Sequence, residues 1–207
     1  MVISYFGEAF IRVTFGDIVI ALNPPAKSHS GKAARFGADV AMVSCPTPVY
    51  DGVLGLTGGG KEPFVIAGPG EYEYSDIFIK GYESPGPDGT VNTIYSFLLE
   101  GMRVVHLGAL SGQALSSDTL EEISGADIMI VPAGEEGTLP AKAAAKFAAS
   151  LEPKIIIPVL YGSDGSSLLS EFLSEMGETK IQPVEKLAIK KKDLEGKEAD
   201  IVVLQTV

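Results

Sequence analysis

Ala38-Asp39-Val40-Ala41-Met42-Val43-Ser44 is an apolar run that stops on a serine, and Cys45-Pro46-Thr47-Pro48-Val49-Tyr50 follows it directly. A short run without polar alternation reads as a strand buried on both faces. Pro46 and Pro48 lack an N–H for any ladder and disfavour helix in the residues before them. The segment is therefore a buried strand that passes into a rigid loop.

Upstream, Val2–Phe6, Phe10–Phe15 and Ile18–Leu22 are β-rich runs, and Gly16-Asp17 makes a tight turn between the last two. A polar loop from Lys27 to Arg35 leads into the buried strand. Downstream, further strands are expected at Phe64–Ala67, Ile77–Lys80, Thr93–Leu99 and Arg103–Leu107, with Glu100-Gly101 joining the last two. The pattern then changes. Asp118 and Glu121 have capping-box spacing and open a short helix through Ile123. A strand at Asp127–Val131 precedes a helix with Pro140 in its first turn and Ala144, Phe147, Ala148 and Leu151 on one face. Ile155–Ile157 reads as a short apolar strand and Ser167–Met176 as a helix stopped by Gly177. The alternating runs Lys186–Lys190 and Ile201–Leu204 are expected to pair antiparallel. This order is compatible with two facing sheets flanked by helices, and equally with other α/β sandwiches.

With 207 residues and 45% hydrophobic content, the chain suits one domain, 1–207, around one sizeable core. Its opening residues contain no Lys or Arg before the apolar stretch and no cleavage pattern, so they read as a strand and not as a secretion signal. Gly, Pro or charge interrupts every apolar run before the roughly 18 residues a membrane span requires, so the chain is expected to be soluble. A single cysteine, Cys45, excludes an intrachain disulfide and fits a reducing, cytoplasmic location. The net charge of -11 opposes nucleic acid as a partner. Lys190-Lys191-Lys192 is followed at once by Asp193, Glu195 and Glu198, which cancel its field locally.

Several stretches together resemble the metallo-β-lactamase fold superfamily, in the branch similar to ascorbate-6-phosphate lactonases. They are Tyr5-Phe6-Gly7-Glu8-Ala9, Leu22-Asn23-Pro24, Ala38 to Ser44, and Gly68-Pro69-Gly70-Glu71-Tyr72-Glu73. Later come Asn92-Thr93-Ile94-Tyr95, Val105-His106-Leu107-Gly108, Ile130-Val131-Pro132-Ala133-Gly134 and Lys154-Ile155-Ile156-Ile157-Pro158. They occur in the family's order over nearly the whole chain. The resemblance implies an αββα sandwich: two facing mixed β-sheets with helices on the outer faces.

It also implies zinc, because the family places Thr or Ser, His, any, His, any, Asp, His after the buried strand. Imidazoles and a carboxylate so spaced hold one or two zinc ions, which lower the pKa of bound water to about 7. In this chain Cys45 and Thr47 fall at the first two histidines, Val49 at the aspartate and Tyr50 at the last histidine. Ala109 falls at the bridging aspartate, and Leu160 at the histidine expected after Pro158. The remaining family histidine falls near Tyr82-Glu83-Ser84, and no histidine lies between Ser30 and Val105. Glu8 and Asn23 stand where the family's supporting histidine and aspartate belong. No metal and no other cofactor is expected.

Around these degenerate positions, Asp51, His106 and Tyr161 are adjacent. Cys45 is the best single nucleophile, yet no Lys, Arg or His is near in sequence to activate it, so a small buried thiol is the plainer reading. His106 occupies a supporting position and reads as a hydrogen-bonded core histidine. Asp51, Glu71, Glu73 and Glu83 offer oxygen to a hard cation but share no ligand spacing. Gly55-Leu56-Thr57-Gly58-Gly59-Gly60-Lys61 matches the start of a phosphate loop, but Glu62 replaces the hydroxyl residue, and Pro63-Phe64-Val65 continues as strand where a helix is required.

Two function classes follow. The first is a catalytically inactive member that keeps the scaffold as a binding or assembly module for a protein, a small molecule or a second copy of itself. The second is a hydrolase of a phosphorylated or lactone-type small molecule acting through an atypical site. The side chains of the vacated cleft, Cys45, Val49, Tyr50, Ala109, Leu160 and Tyr161, are expected partly to fill it with apolar and aromatic groups.

Overall fold

The computed structural model describes residues 1–29, 36–56, 60, 62–162 and 167–207. The amino-terminal strands form as their composition requires. β1 (Val2–Tyr5), β2 (Ile11–Phe15) and β3 (Ile18–Leu22) run antiparallel, with Gly16-Asp17 as the turn between the last two. Their alternation sorts the side chains, since Ile3, Tyr5, Ile11 and Val13 all face the core. β4 (Val40–Met42) adds parallel to β3, and β5 (Phe64–Ile66) adds parallel to β4. The buried run therefore sits inside a sheet, as its lack of alternation implies.

The second sheet is built from the middle of the chain. β6 (Gly70–Tyr74), β7 (Ile77–Pro85), β8 (Val91–Leu99) and β9 (Met102–His106) form an antiparallel meander. β10 (Ile128–Pro132) and β11 (Ile155–Val159) then add in parallel, each buried along its whole length. The short helices α1 (Ser117–Ile123), α2 (Ala141–Ser150) and α3 (Ser167–Glu175) occupy the intervening and following stretches. α2 packs on β10 and on α3. α1 is tied to the same sheet, because Lys80 Nζ and the Tyr82 hydroxyl both reach Glu122. The result is a six-stranded sheet, a seven-stranded sheet and three helices, with one buried apolar cluster running between them. This is the α/β sandwich that the resemblance implied.

Several expectations need correction. Gly70–Tyr74 is a strand that the sequence reading left unassigned, and β7 runs to Pro85 because it pairs with β8 as far as Val91. Helix α1 is capped by Ser116, whose hydroxyl accepts the Thr119 N–H, and not by the Asp118 and Glu121 pair. Pro140 is the residue before α2 rather than inside its first turn. The two terminal runs do not pair with each other. β12 (Leu187–Ala188) joins β1 antiparallel and β13 (Asp200–Ile201) joins β11 parallel, so they finish different sheets. Of the phosphate-loop lookalike, Gly55 ends a 3-10 turn and Phe64–Ile66 is strand, while residues 57–59 and 61 lie outside the described residues.

Candidate functional site

The ends of β3, β4, β8 and β9 meet at a fully buried polar cluster. Asn23 follows β3 in the left-handed region, φ 50°, which asparagine tolerates better than most residues. Its backbone N–H donates to the Met42 carbonyl at 2.8 Å, and its Oδ1 accepts the Ser44 N–H at 2.8 Å. That second bond fixes the orientation of the amide, so Nδ2 faces His106 Nε2 at 2.9 Å. An amide nitrogen only donates, so Nε2 must accept and the ring proton sits on Nδ1. Burial pushes the His106 pKa from 6.5 down to about 3, which keeps the ring neutral. His106 is thus buried in the core and bonded through Nε2, while its Nδ1 has no partner among the described residues.

Asn92, in β8, organises the loop after β9. Its Nδ2 donates to Ser84 Oγ at 2.8 Å and to the Leu107 carbonyl at 2.9 Å, and its Oδ1 accepts the Ala109 N–H at 2.8 Å. The turn passes close to Asn92 through Gly108, φ 64°, where a Cβ would lie 2.4 Å from Asn92 Oδ1 and 2.6 Å from Ser44 Cβ. Only glycine fits both the angle and the approach.

Cys45, the first loop residue after Ser44, is buried, and its sulfur lies 3.3 Å from Thr90 Oγ1. Thr90 already donates its single hydroxyl proton to the Pro87 carbonyl at 2.6 Å. The remaining role of Oγ1 is acceptor, so Cys45 donates and is held as a thiol. Thr47 is half-buried and its carbonyl accepts the N–H groups of Tyr50 and Asp51, which winds the loop into a turn. Val49 packs against the core and Asp51 is exposed. Ala109 and Leu160 are buried. Tyr161 is buried too, with its ring 5.9 Å from Tyr5 and its hydroxyl donating to the Leu204 carbonyl at 3.4 Å.

Glu8 and Glu135 lie close enough for their charges to act on Tyr50, and His29 joins them through Glu8. Leu160, φ 53°, donates its N–H to the Glu8 carbonyl at 2.9 Å and accepts the Glu135 N–H at 2.9 Å, which ties three loops together. Glu8 Oε1 pairs with His29 Nε2 at 2.8 Å. The Oε2 atoms of Glu8 and Glu135 are buried and have no hydrogen-bond partner among the described residues. Burial, and then the Glu8 charge, push the Glu135 carboxyl above its ordinary value, while His29 pulls it back. Burial, then Glu135, Cys45 and Glu8, likewise push the Tyr50 hydroxyl well above its usual range.

Cys45, Tyr50, Ala109, Leu160 and Tyr161 are buried and fill part of the cleft. The charges of Glu8 and Glu135 also reach Tyr50, from loops that the sequence alone does not join. Glu8 had been read only as a replaced supporting residue, and His29 and Glu135 had not been assigned to the site. Their only common signal is position, each one or two residues past a glycine turn or a loop end, which is too weak to find them.

As a zinc site the set does not fit. Val49, Ala109 and Leu160 carry no donor atom, Thr47 and Tyr50 offer neutral hydroxyls, and Cys45 is committed as a thiol to Thr90. Among the described residues no three His, Cys, Asp or Glu side chains are grouped to hold a metal ion. Glu71, Glu73 and Glu83 lie exposed on β6 and β7.

A model of the β-lactamase superfamily domain matches residues 2–160. A UPF0173 protein of Pyrococcus furiosus is 29% identical over 157 residues, covering 74% of this chain and 70% of that protein. Among solved structures, a Thermotoga maritima protein of the metallo-β-lactamase superfamily, provisionally described as a Zn-dependent hydrolase, is 28% identical with a TM-score of 0.76. The match covers 98% of this chain and 97% of that one. The metallo hydrolase Igni18 of Ignicoccus hospitalis, 17% identical over 91% of this chain and 99% of its own, shares the fold with a TM-score of 0.67.

Proposed function

We propose that this chain, which belongs to the β-lactamase superfamily, is a catalytically inactive member that keeps the sandwich as a binding or assembly module. One observation carries the reading. At Cys45, Thr47, Val49, Tyr50, Ala109 and Leu160, where the family resemblance sets the metal ligands, the side chains offer no imidazole and no carboxylate. The family route to hydrolysis requires a metal-bound water. The polar cluster of Asn23, Ser44, Asn92 and His106 supports the same reading, since it preserves the backbone frame of such a site without its donors.

The alternative, a hydrolase of a phosphorylated or lactone-type compound, has one observation in its favour. Glu8, His29 and Glu135 form a titratable group beside Tyr50, and a carboxylate with a raised pKa is a general acid in search of a substrate. We favour the first reading because no activated nucleophile accompanies that acid. Cys45 is the nearest candidate, and its proton is committed to Thr90.

The test combines metal content with one restored ligand. The purified protein is expected to hold no stoichiometric zinc, manganese or iron, and chelator should leave its melting temperature unchanged. Ala109→Asp places a lone carboxylate in a fully buried position and should destabilise the fold by about 2 kcal/mol, with or without zinc. A tightly held ion in the wild type, zinc-dependent stabilisation of the variant, or turnover of a phosphodiester or lactone substrate would each overturn the proposal.

A further inference from the structure

Arg12 stands in the middle of β2, paired with Ser4 on β1 and Ala21 on β3. Its neighbours Ile11 and Val13 face the core, so its side chain leaves the six-stranded sheet on the opposite, outer face. There the guanidinium carbon lies 5.1 Å from the Phe6 ring centroid and 4.9 Å from that of Phe36. The two rings are themselves 5.2 Å apart, so the cation rests over the notch between them. Contacts of this kind hold a guanidinium in place through its face and leave the N–H edge free.

Among the described residues Arg12 Nε is buried without a hydrogen-bond partner, and none of the ion pairs involves Arg12. Nε is closed to solvent, so a ligand would meet the terminal nitrogens of the guanidinium. The contrast with Arg103 is sharp, because Arg103 spends its N–H groups on the carbonyls of Glu122 and Ser124. In a chain with a net charge of -11, an arginine held by aromatic rings and ion-paired with no carboxylate among the described residues calls for a ligand.

Arg12 lines a pocket of about 350 Å³ together with Ser4, Lys186, Gln205, Thr206 and Glu185. The volume lies in the range of small-molecule sites. Its far wall is fixed by backbone bonds: Gln205 N–H donates to the Val184 carbonyl at 2.9 Å and Val207 N–H to the Tyr5 carbonyl at 2.9 Å. Two cationic side chains and three neutral hydrogen-bonding ones thus line one formed cavity.

We propose that this pocket binds the oxyanion of a small molecule, carboxylate or phosphate, through the terminal guanidinium N–H groups of Arg12, with Lys186 in the same lining. A planar fork of donors matches either oxyanion in bidentate geometry. Glu185 is the one acidic side chain in the lining, and it favours a ligand with a hydroxyl or ammonium donor beside its oxyanion. The site lies on the outer face of the six-stranded sheet, distinct from the loops around Tyr50, and it does not depend on whether those loops are catalytic.

The test is an NMR titration of the full chain with inorganic phosphate, with lactate, and with sodium chloride at matched ionic strength. The Arg12 Nε–H and the Gln205 side-chain amide are the reporters. Saturable shifts with phosphate or lactate at a Kd of about 1 mM or tighter are expected, and the anion that saturates identifies the ligand class. Arg12→Gln should weaken binding roughly tenfold and Lys186→Gln by roughly threefold. Shifts reproduced by chloride, saturation by neither anion, or an unchanged Kd in Arg12→Gln would overturn the proposal. Lys186 is exposed and its replacement is not expected to disturb folding, so an unchanged Kd in Lys186→Gln decides the matter even where Arg12→Gln fails to fold.

Discussion

Two polar clusters lie side by side in this molecule and follow opposite rules. Asn23, Ser44, Asn92 and His106 are almost wholly buried, and the two asparagines spend both ends of their amides on neighbouring backbone and side-chain groups. Glu8, His29 and Glu135 are only half-buried, sit on loops, and leave a buried carboxylate oxygen unbonded on each glutamate. The first cluster is neutral, and although Ser44 Oγ and His106 Nδ1 have no partner among the described residues, an unbonded neutral group costs less to bury than an unbonded charge. The first cluster fixes where four strand ends sit. The second joins three loops through the backbone of Leu160.

The largest effect should come from titrating the closed cluster. His106 has an ordinary pKa of 6.5 in the unfolded chain and about 3 in the folded one. The unfolded state therefore binds the proton more readily across that interval. The resulting stability is complete above about pH 6.5 and is lost as pH falls toward 3, by up to about 5 kcal/mol. His106→Gln removes the titration, so urea melts at pH 7 and pH 4 should differ less in the variant than in wild type. An equal acid sensitivity would mean that the ring is not buried neutral.

Next in size is the backbone approach that serves the same cluster. Gly108→Ala should cost about 3 kcal/mol, because the new methyl meets Asn92 and Ser44 as well as an unfavourable φ. Gly162→Ala is the control, since φ is 77° there but no described residue lies within 4 Å, and it should cost only about 1 kcal/mol. Similar losses at the two glycines would show that the Asn92 contact does not restrict the turn.

The smallest effect belongs to the open cluster. The folded-state pKa of Glu135 is raised, so its contribution is most favourable below the unfolded value near 4.5 and declines as pH rises through the folded value. Glu135→Gln should therefore stabilise the protein at pH 7 and leave it unchanged at pH 4. Solvent screening of a half-buried group keeps the gain below about 1 kcal/mol. A loss of stability at pH 7 would indicate that the carboxylate is bonded to something the cluster does not contain.

The parts of the fold legible in the sequence are those decided within a few residues. Gly16-Asp17 between two apolar runs allows only a hairpin, and Val40–Met42 lacks any polar face to turn toward water. Gly70–Tyr74 was missed because its two glutamates are poor strand formers, and its pairing with β7 overrides them. The terminal strands were assigned to each other because nothing in Lys186–Lys190 or Ile201–Leu204 encodes which sheet edge is nearest. In the site, the identities at Cys45, Tyr50, Ala109 and Leu160 were readable one by one. The approach of Glu8, His29 and Glu135 was not, because loops that meet only through the backbone of Leu160 carry no periodic signal.

The placement of β12 has a consequence for how the molecule is made. The first strand, at Val2, finds its outer neighbour only at Ala188, and β11 finds its own at Asp200. During synthesis each sheet must wait, with an unpaired edge, for a segment that follows all its other strands in the chain. Long-range pairings of this kind slow folding and prolong the exposure of strand edges. The charged ends around these late strands, Lys186 and Lys190 beside β12 and Asp200 within β13, keep the waiting segments in water until the rest of the sandwich can receive them.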